Sequence, residues 1–249
     1  MAKARGIIKI RGTLGDLTFY KLKKDHIVKQ KGGVSKKRIK REPAFARTRE
    51  NNQEFASCAV SGRRLRTALG PLLFRAKDSR LTSRLLQTLC KIKALDQVAM
   101  RGKRTVANGI AGVAGKMLLT GFDFNMEAPM GRILKVPYVL EEAEGRVVFA
   151  DFIPSRHLAY PKAATHVSLQ LAQLRLDFAL GTHKLVLSPA QNLAIHQSMS
   201  TLEMTTVMPP NLTGETLFLL SLTFYQEVNG IHYSLKRGGS TSLQILGVY

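Results

Sequence analysis

The sequence predicts an α+β chain: an N-terminal β-meander, a basic helical segment and a C-terminal antiparallel β-sandwich or barrel. Three observations carry this. Short alternating apolar segments separated by glycines open the chain. A leucine stripe at helical spacing runs through residues 81–95. About eight strand-like segments then fill the last half. The expected domains are 1–33, a meander or docking arm; 34–120, a basic helical segment; and 121–249, an antiparallel β-domain.

Residues 6–11 alternate around Ile8 and Ile10, and residues 16–22 set Leu17, Phe19 and Lys21 against Thr18, Tyr20 and Leu22. Gly12-Thr13-Leu14-Gly15 between them reads as a hairpin turn. Residues 26–30 supply a third strand before Gly32-Gly33. So small a meander has little apolar surface to bury and must dock on something. Ile8, Ile10, Phe19 and Tyr20 are its expected interface residues.

Residues 34–42 form a basic connector in which five of nine positions are Lys or Arg. Pro43 suits a first helical position, and residues 44–61 carry Phe45, Phe55, Ala59 and Val60 among polar neighbours. Gly62 is expected to break or bend that helix, and Gly70-Pro71 to stop it. A second helix is predicted over 79–98, with Leu81, Leu85, Leu89, Ile92 and Leu95 on one face and Arg80, Arg84, Lys91 and Lys93 turned away. Gly102, Gly109, Gly112, Gly115 and Gly121 then mark either close helix packing or a hinge.

Strands are expected at 131–139, 145–152, 165–178, 182–188, 201–208, 216–228, 231–236 and 242–249. Asn229-Gly230 is the strongest hairpin signal, and Glu144-Gly145 marks another turn. Leu217–Leu222 is apolar at nearly every position, which predicts a strand that is either central or buried on both faces.

Charge divides the chain unevenly. Of 249 residues, the first 120 hold 29 Lys and Arg against 7 Asp and Glu, and the remainder hold 9 against 10. A compact state with that excess repels itself, so nucleic acid, an acidic surface or a neighbouring subunit is expected to neutralise it. The expected polyanion-binding residues are Lys36, Lys37, Arg38, Lys40, Arg41, Arg63, Arg64, Arg66, Arg80, Arg84, Lys91, Arg101, Lys103 and Arg104. The basic half lacks Trp and is sparse in Tyr and Phe, so base stacking is poorly provided for.

Catalytic signatures are weak. Gly109–Lys116 resembles a phosphate-binding loop, but five residues separate Gly109 from Gly115 where four are needed, and Met117 occupies the hydroxyl position. His26, His157, His166, His183, His196 and His232 share no metal-ligand spacing. Cys58 and Cys90 read as small core residues. No Gly-x-Ser-x-Gly elbow is present, and Glu141, Glu142 and Glu144 read as a polar turn. No enzyme activity, cofactor or metal is expected.

The segments Gly6–Tyr20, Lys31–Gly33, Pro43–Asn51, Leu119–Asn125 and Phe224–Gly230 resemble a family of basic proteins of Bacteroidota bacteria, over the whole chain. The resemblance implies a bacterial or phage-associated origin and brings no catalytic residue or ligand. The start of the chain lacks the apolar stretch of a signal peptide and no run of 18 apolar residues occurs, so a cytoplasmic protein without a membrane span is expected. The function expected is a non-enzymatic, self-assembling structural protein, a homo-oligomeric filament, tube or particle subunit. The alternative is a nucleic-acid-binding protein without sequence specificity.

Overall fold

The computed structural model describes residues 2–3, 10–235 and 238–249. The chain forms two compact units, Met1–Arg49 and Glu50–Tyr249. It mixes helices with antiparallel sheets. Its units do not divide at residues 33 and 120, because helices before residue 120 share one apolar core with strands after it.

The first unit is built on the expected meander. Strands β1 (Ala2–Lys3), β2 (Gly12–Leu14), β3 (Leu17–Leu22) and β4 (Asp25–Gln30) form one antiparallel sheet in the order β1-β4-β3-β2. Gly12–Leu14 is a strand and not the expected turn: Leu14 pairs with Leu17, so the reversal falls on Gly15-Asp16, with Gly15 at φ 56°. The expected strand over 6–11, with Ile8, lies outside the described residues apart from Ile10 and Arg11, which precede β2. A short helix, α1 (Lys36–Arg41), follows, with the Ser35 hydroxyl accepting the Arg38 N–H. Arg49 donates to the carbonyls of Ile39 and Glu42, which ties the start of the next helix back to α1.

That next helix, α2 (Ala46–Ala68), runs for 23 residues without a break at Gly62. Gly62 serves packing instead: a Cβ there would sit 3.3 Å from Leu89. Gly70-Pro71 does end α2 and starts a single turn, α3 (Gly70–Leu73). The leucine stripe forms α4 (Leu81–Ala94), burying Leu81, Leu85, Leu89 and Ile92. Leu95 drops out of the core, 39% exposed. The helix ends there because the Asp96 carboxylate takes the N–H groups of Val98 and Ala99.

The glycine-rich stretch folds as two short helices, α5 (Val106–Ile110) and α6 (Val113–Leu119). Gly109 and Gly115 permit backbone contact. A Cβ on Gly109 would lie 2.0 Å from the Ile92 carbonyl oxygen, and one on Gly115 would lie 2.0 Å from that of Gly109. Gly109 and Gly115, the first and last glycines of the stretch that resembles a phosphate loop, are therefore explained by helix packing.

The remaining strands are β5 (Val139–Glu141), β6 (Arg146–Phe152), β7 (His166–Leu176), β8 (His183–Leu187), β9 (Gln191–Ala194), β10 (Ser200–Thr205), β11 (Glu215–Val228), β12 (Ile231–Ser234) and β13 (Thr241–Val248). Residues 131–139 are mostly not a strand. Met130–Ile133 is one helical turn, held at its start by a bond from the Met130 N–H to Asp123. The short β9, which pairs with β7, has no alternation to announce it. Strands β10-β6-β5 make a three-stranded sheet, and β12-β11-β7-β8, with β13 on β11 and β9 on β7, make a six-stranded one. All registered pairs are antiparallel.

Strand β11 organises the second unit. Leu217 and Leu219 join the helices, together with Leu174, Leu176 and Ile245. Phe218, Leu220, Leu222 and Phe224 face the other way, in one cluster with Phe149 and Met204 of the three-stranded sheet. The strand is thus buried on both faces, as its composition predicts. From Ser221 onward, the face shared with Leu217 and Leu219 becomes polar (Ser221, Thr223, Tyr225, Glu227). No helix among the described residues is long and apolar enough to cross a membrane.

Candidate functional site

The expected polyanion-binding residues divide by what they touch. In the first unit Lys36, Lys37, Lys40 and Arg41 project from α1 into water, while Arg38 pairs with Glu42 at 2.5 Å. In the second unit Arg63, Arg80, Lys91 and Lys103 are exposed, and Arg66 is half-buried. Arg101 lies 3.4 Å from Glu50. These are available to an anion.

Three others are structural struts. Arg64 donates to the carbonyl oxygens of Phe178 and Ala179, at 2.6 and 2.8 Å. Arg84 pairs with Asp78, donates to the carbonyls of Asp123 and Phe124, and stacks over the Phe122 ring. Arg104 grips Glu54 through Nε and Nη2, at 2.8 and 2.9 Å. Lys93, expected to face water, reaches the same carboxylate at 2.5 Å, and the Gly102 N–H completes the set at 2.7 Å. Glu54 is 2% exposed. Arg104 holds its carboxyl well below the usual carboxylate range, against the opposing effect of burial, with Lys93 and Gly102 adding to the pull. Asp96 staples the same loop through the N–H groups of Val98, Ala99 and Thr105 and the Asn108 side chain. Burial raises its carboxyl, but those donors outweigh it and lower it. A buried carboxylate with satisfied oxygens recruits nearby cations as structure.

The acidic turn is likewise satisfied. Glu141, Glu144 and Glu203 all pair with Arg146. Cys58 is buried and unbridged, and burial pushes its thiol up to about 12. That is the chemistry of an inert core thiol.

The polar end of the six-stranded sheet holds a concavity with convergent polar groups. A cleft of about 420 Å³ lies between the sheet residues Ser168, Gln170, Thr223 and Tyr225 and the turn Phe74-Arg75. Arg75 donates to the Tyr225 hydroxyl at 3.2 Å. Beyond Tyr225 on the same face, three strands bring His166, Glu227 and His232 together. Their ligand atoms all lie within 4.8 Å of one another. The imidazole rings are 4.3 Å apart, and Tyr225 borders His232 at 6.5 Å. Spacing along the chain does not reveal this cluster. The hairpin reveals half of it: a two-residue Asn229-Gly230 turn puts Glu227 opposite His232. His166 arrives through the register that pairs it with Tyr225, which no local signal fixes.

Of the expected interface residues, Phe19 and Tyr20 are half-buried neighbours on one strand and so face opposite sides of the first unit's sheet; Ile10 is exposed. Phe19 shares its face with Val28, Leu14 and Leu17, and Tyr20 shares its face with Ile27.

No protein-family model matches the chain, and neither a curated protein nor a solved structure is detectably similar to it. Function must therefore be argued from the residues themselves.

Proposed function

We propose that this protein is a non-enzymatic structural subunit that self-assembles, its N-terminal sheet docking on the second unit of a neighbouring copy. The observation that carries the reading is the make-up of the first unit. Its only buried apolar side chain among the described residues is Ile27, while Leu14, Leu17, Leu22 and Val34 stay exposed. A small sheet without a core is marginal until another surface covers it. Residues 1–49 also hold 16 Lys and Arg against 3 Asp and Glu, so the covering surface must not be basic. Residues 121–249, with 9 against 10, meet that condition. Their receptor is an open strand edge. β12 ends the six-stranded sheet, and its Ile231 and Tyr233 are 56% and 54% exposed. Arm-to-receptor contacts of this kind are head-to-tail, and they build rings, tubes or filaments. In this reading the two sheets around Phe149 and Phe218 are a β-sandwich that serves as the wall of the assembly.

The test compares full-length protein with residues 34–249 by mass photometry, after nuclease treatment. The full chain should form large, regular species and the truncated chain should run as a monomer. Equal assembly of the two would remove the docking role of the arm.

A second reading has its own support. Five of the six residues of α1 are Lys or Arg, and four of them carry no acidic partner among the described residues. This exposed run suits the backbone of a nucleic acid, read without sequence preference. Neutralising Lys36, Lys37, Lys40 and Arg41 should then weaken binding to all sequences alike and flatten its salt dependence. Binding that ignores salt would remove this reading.

A further inference from the structure

We propose that His166, Glu227 and His232 form a binding site for one divalent transition-metal ion, with Zn²⁺ the ion tested. The site goes beyond the assembly reading and does not depend on it. Two imidazole nitrogens and one carboxylate oxygen are a donor set that suits such ions.

The argument starts from distances. His166 Nε2 lies 3.5 Å and His232 Nε2 lies 3.8 Å from the same oxygen, Glu227 Oε2. Hydrogen bonds between nitrogen and oxygen run to about 3.2 Å, so these contacts are too long to be good ones. Two ligands of one tetrahedral Zn²⁺, each about 2.0–2.1 Å from the metal, stand about 3.4 Å apart. The observed spacings fit that edge with a small adjustment. His232 can make it, because its side chain is 42% exposed.

Thr165 supports the same site by geometry. The Thr165 hydroxyl accepts the Glu227 N–H at 2.7 Å. His166 Nδ1 lies 3.0 Å from the same hydroxyl oxygen. An imidazole that ligates a metal through Nε2 carries its proton on Nδ1, and Thr165 Oγ1 is placed to accept it. A partner on the far nitrogen of a ligating imidazole fixes the orientation of the ring. Backbone register holds the three ligands in place. Glu227 pairs with His232 across the hairpin, and His166 pairs with Tyr225 on the other side of β11. Three protein ligands leave at least one coordination position to water or to a further group.

The experiment titrates zinc chloride into untagged, full-length protein that has been stripped with chelator, followed by calorimetry. The expected result is saturable binding of one equivalent. H232A and E227Q should each weaken it at least tenfold, and T165V by about 10–100-fold. H183A, on an exposed histidine away from the cluster, should leave it unchanged. Cobalt(II) in place of zinc should give a d–d spectrum that H232A abolishes, while the circular dichroism melt of H232A stays that of the wild type. Absence of saturable zinc binding, or binding that H232A and E227Q leave intact, would overturn the proposal.

Discussion

The two units handle a surplus of positive charge in different ways. In the second unit, buried carboxylates turn cations into struts. Glu54 holds Lys93 and Arg104, Asp78 holds Arg84, and Arg64 ties down the carbonyls of Phe178 and Ala179. A core of leucine and phenylalanine packs around them. Among its described residues the first unit has no such core. Its acidic groups lie at the surface, and the cations of α1 remain in water. Whether a basic side chain is structural or available depends, then, on whether the fold around it can bury a counter-charge. Counting Lys and Arg along the chain does not separate the two cases.

That difference can be broken or sharpened by substitution. The largest effect should come from Glu54→Gln, which leaves Lys93 and Arg104 beside a neutral group; about 3–5 kcal/mol of stability should be lost in chemical denaturation. Phe224→Ala, at a fully buried side chain, should cost a comparable amount, about 3–5 kcal/mol. Gly109→Ala comes next, at about 1–3 kcal/mol or somewhat more, because the added methyl meets the Ile92 backbone. Neutralising Lys36, Lys37, Lys40 and Arg41 together should be smallest on stability, within about 0.5 kcal/mol per site. If those exposed positions proved as costly as Glu54, the contrast between the units would fail.

Acid should separate the units too. The Glu54 carboxyl is lowered in the folded state from its ordinary 4.5. Its contribution is therefore complete above that value and is lost as pH falls below it toward the lower, folded value. Asp96, also lowered, acts in the same direction. Thermal melts should show the second unit of the wild type weakening as pH drops below about 4, and the Glu54→Gln variant losing less over that interval. A pH dependence identical in the two proteins would contradict the assigned role of Glu54.

Much of the second unit was legible in local pattern. The stripe Leu81, Leu85, Leu89 and Ile92 marks one helix face, and the run Leu217–Leu222 marks a strand with two buried faces. Asn229-Gly230 marks a hairpin, with both residues at positive φ. What local pattern does not carry is contact between distant segments. Arg104 and Glu54 are 50 residues apart, and Arg64 and Phe178 are 114 apart. Both partnerships are set by tertiary packing. Gly62 illustrates the same point: helix propensity suggests a break, and the approach of Leu89 gives the residue a reason to stay helical. Half of the His166–Glu227–His232 cluster was within reach, since the hairpin dictates the Glu227–His232 pair. The other half needs the register of β7 on β11.

The central claim is that the first unit completes its burial on another copy of the chain. It is tested most directly by negative-stain electron microscopy of full-length protein beside L14D/L17D, after nuclease and a high-salt wash. Leu14 and Leu17 are cross-strand partners on the exposed face that also holds Phe19 and Val28. The account predicts regular filaments, tubes or rings for the wild type and dispersed single particles for the variant. Dispersed particles in both samples, or the same assemblies in both, would contradict it.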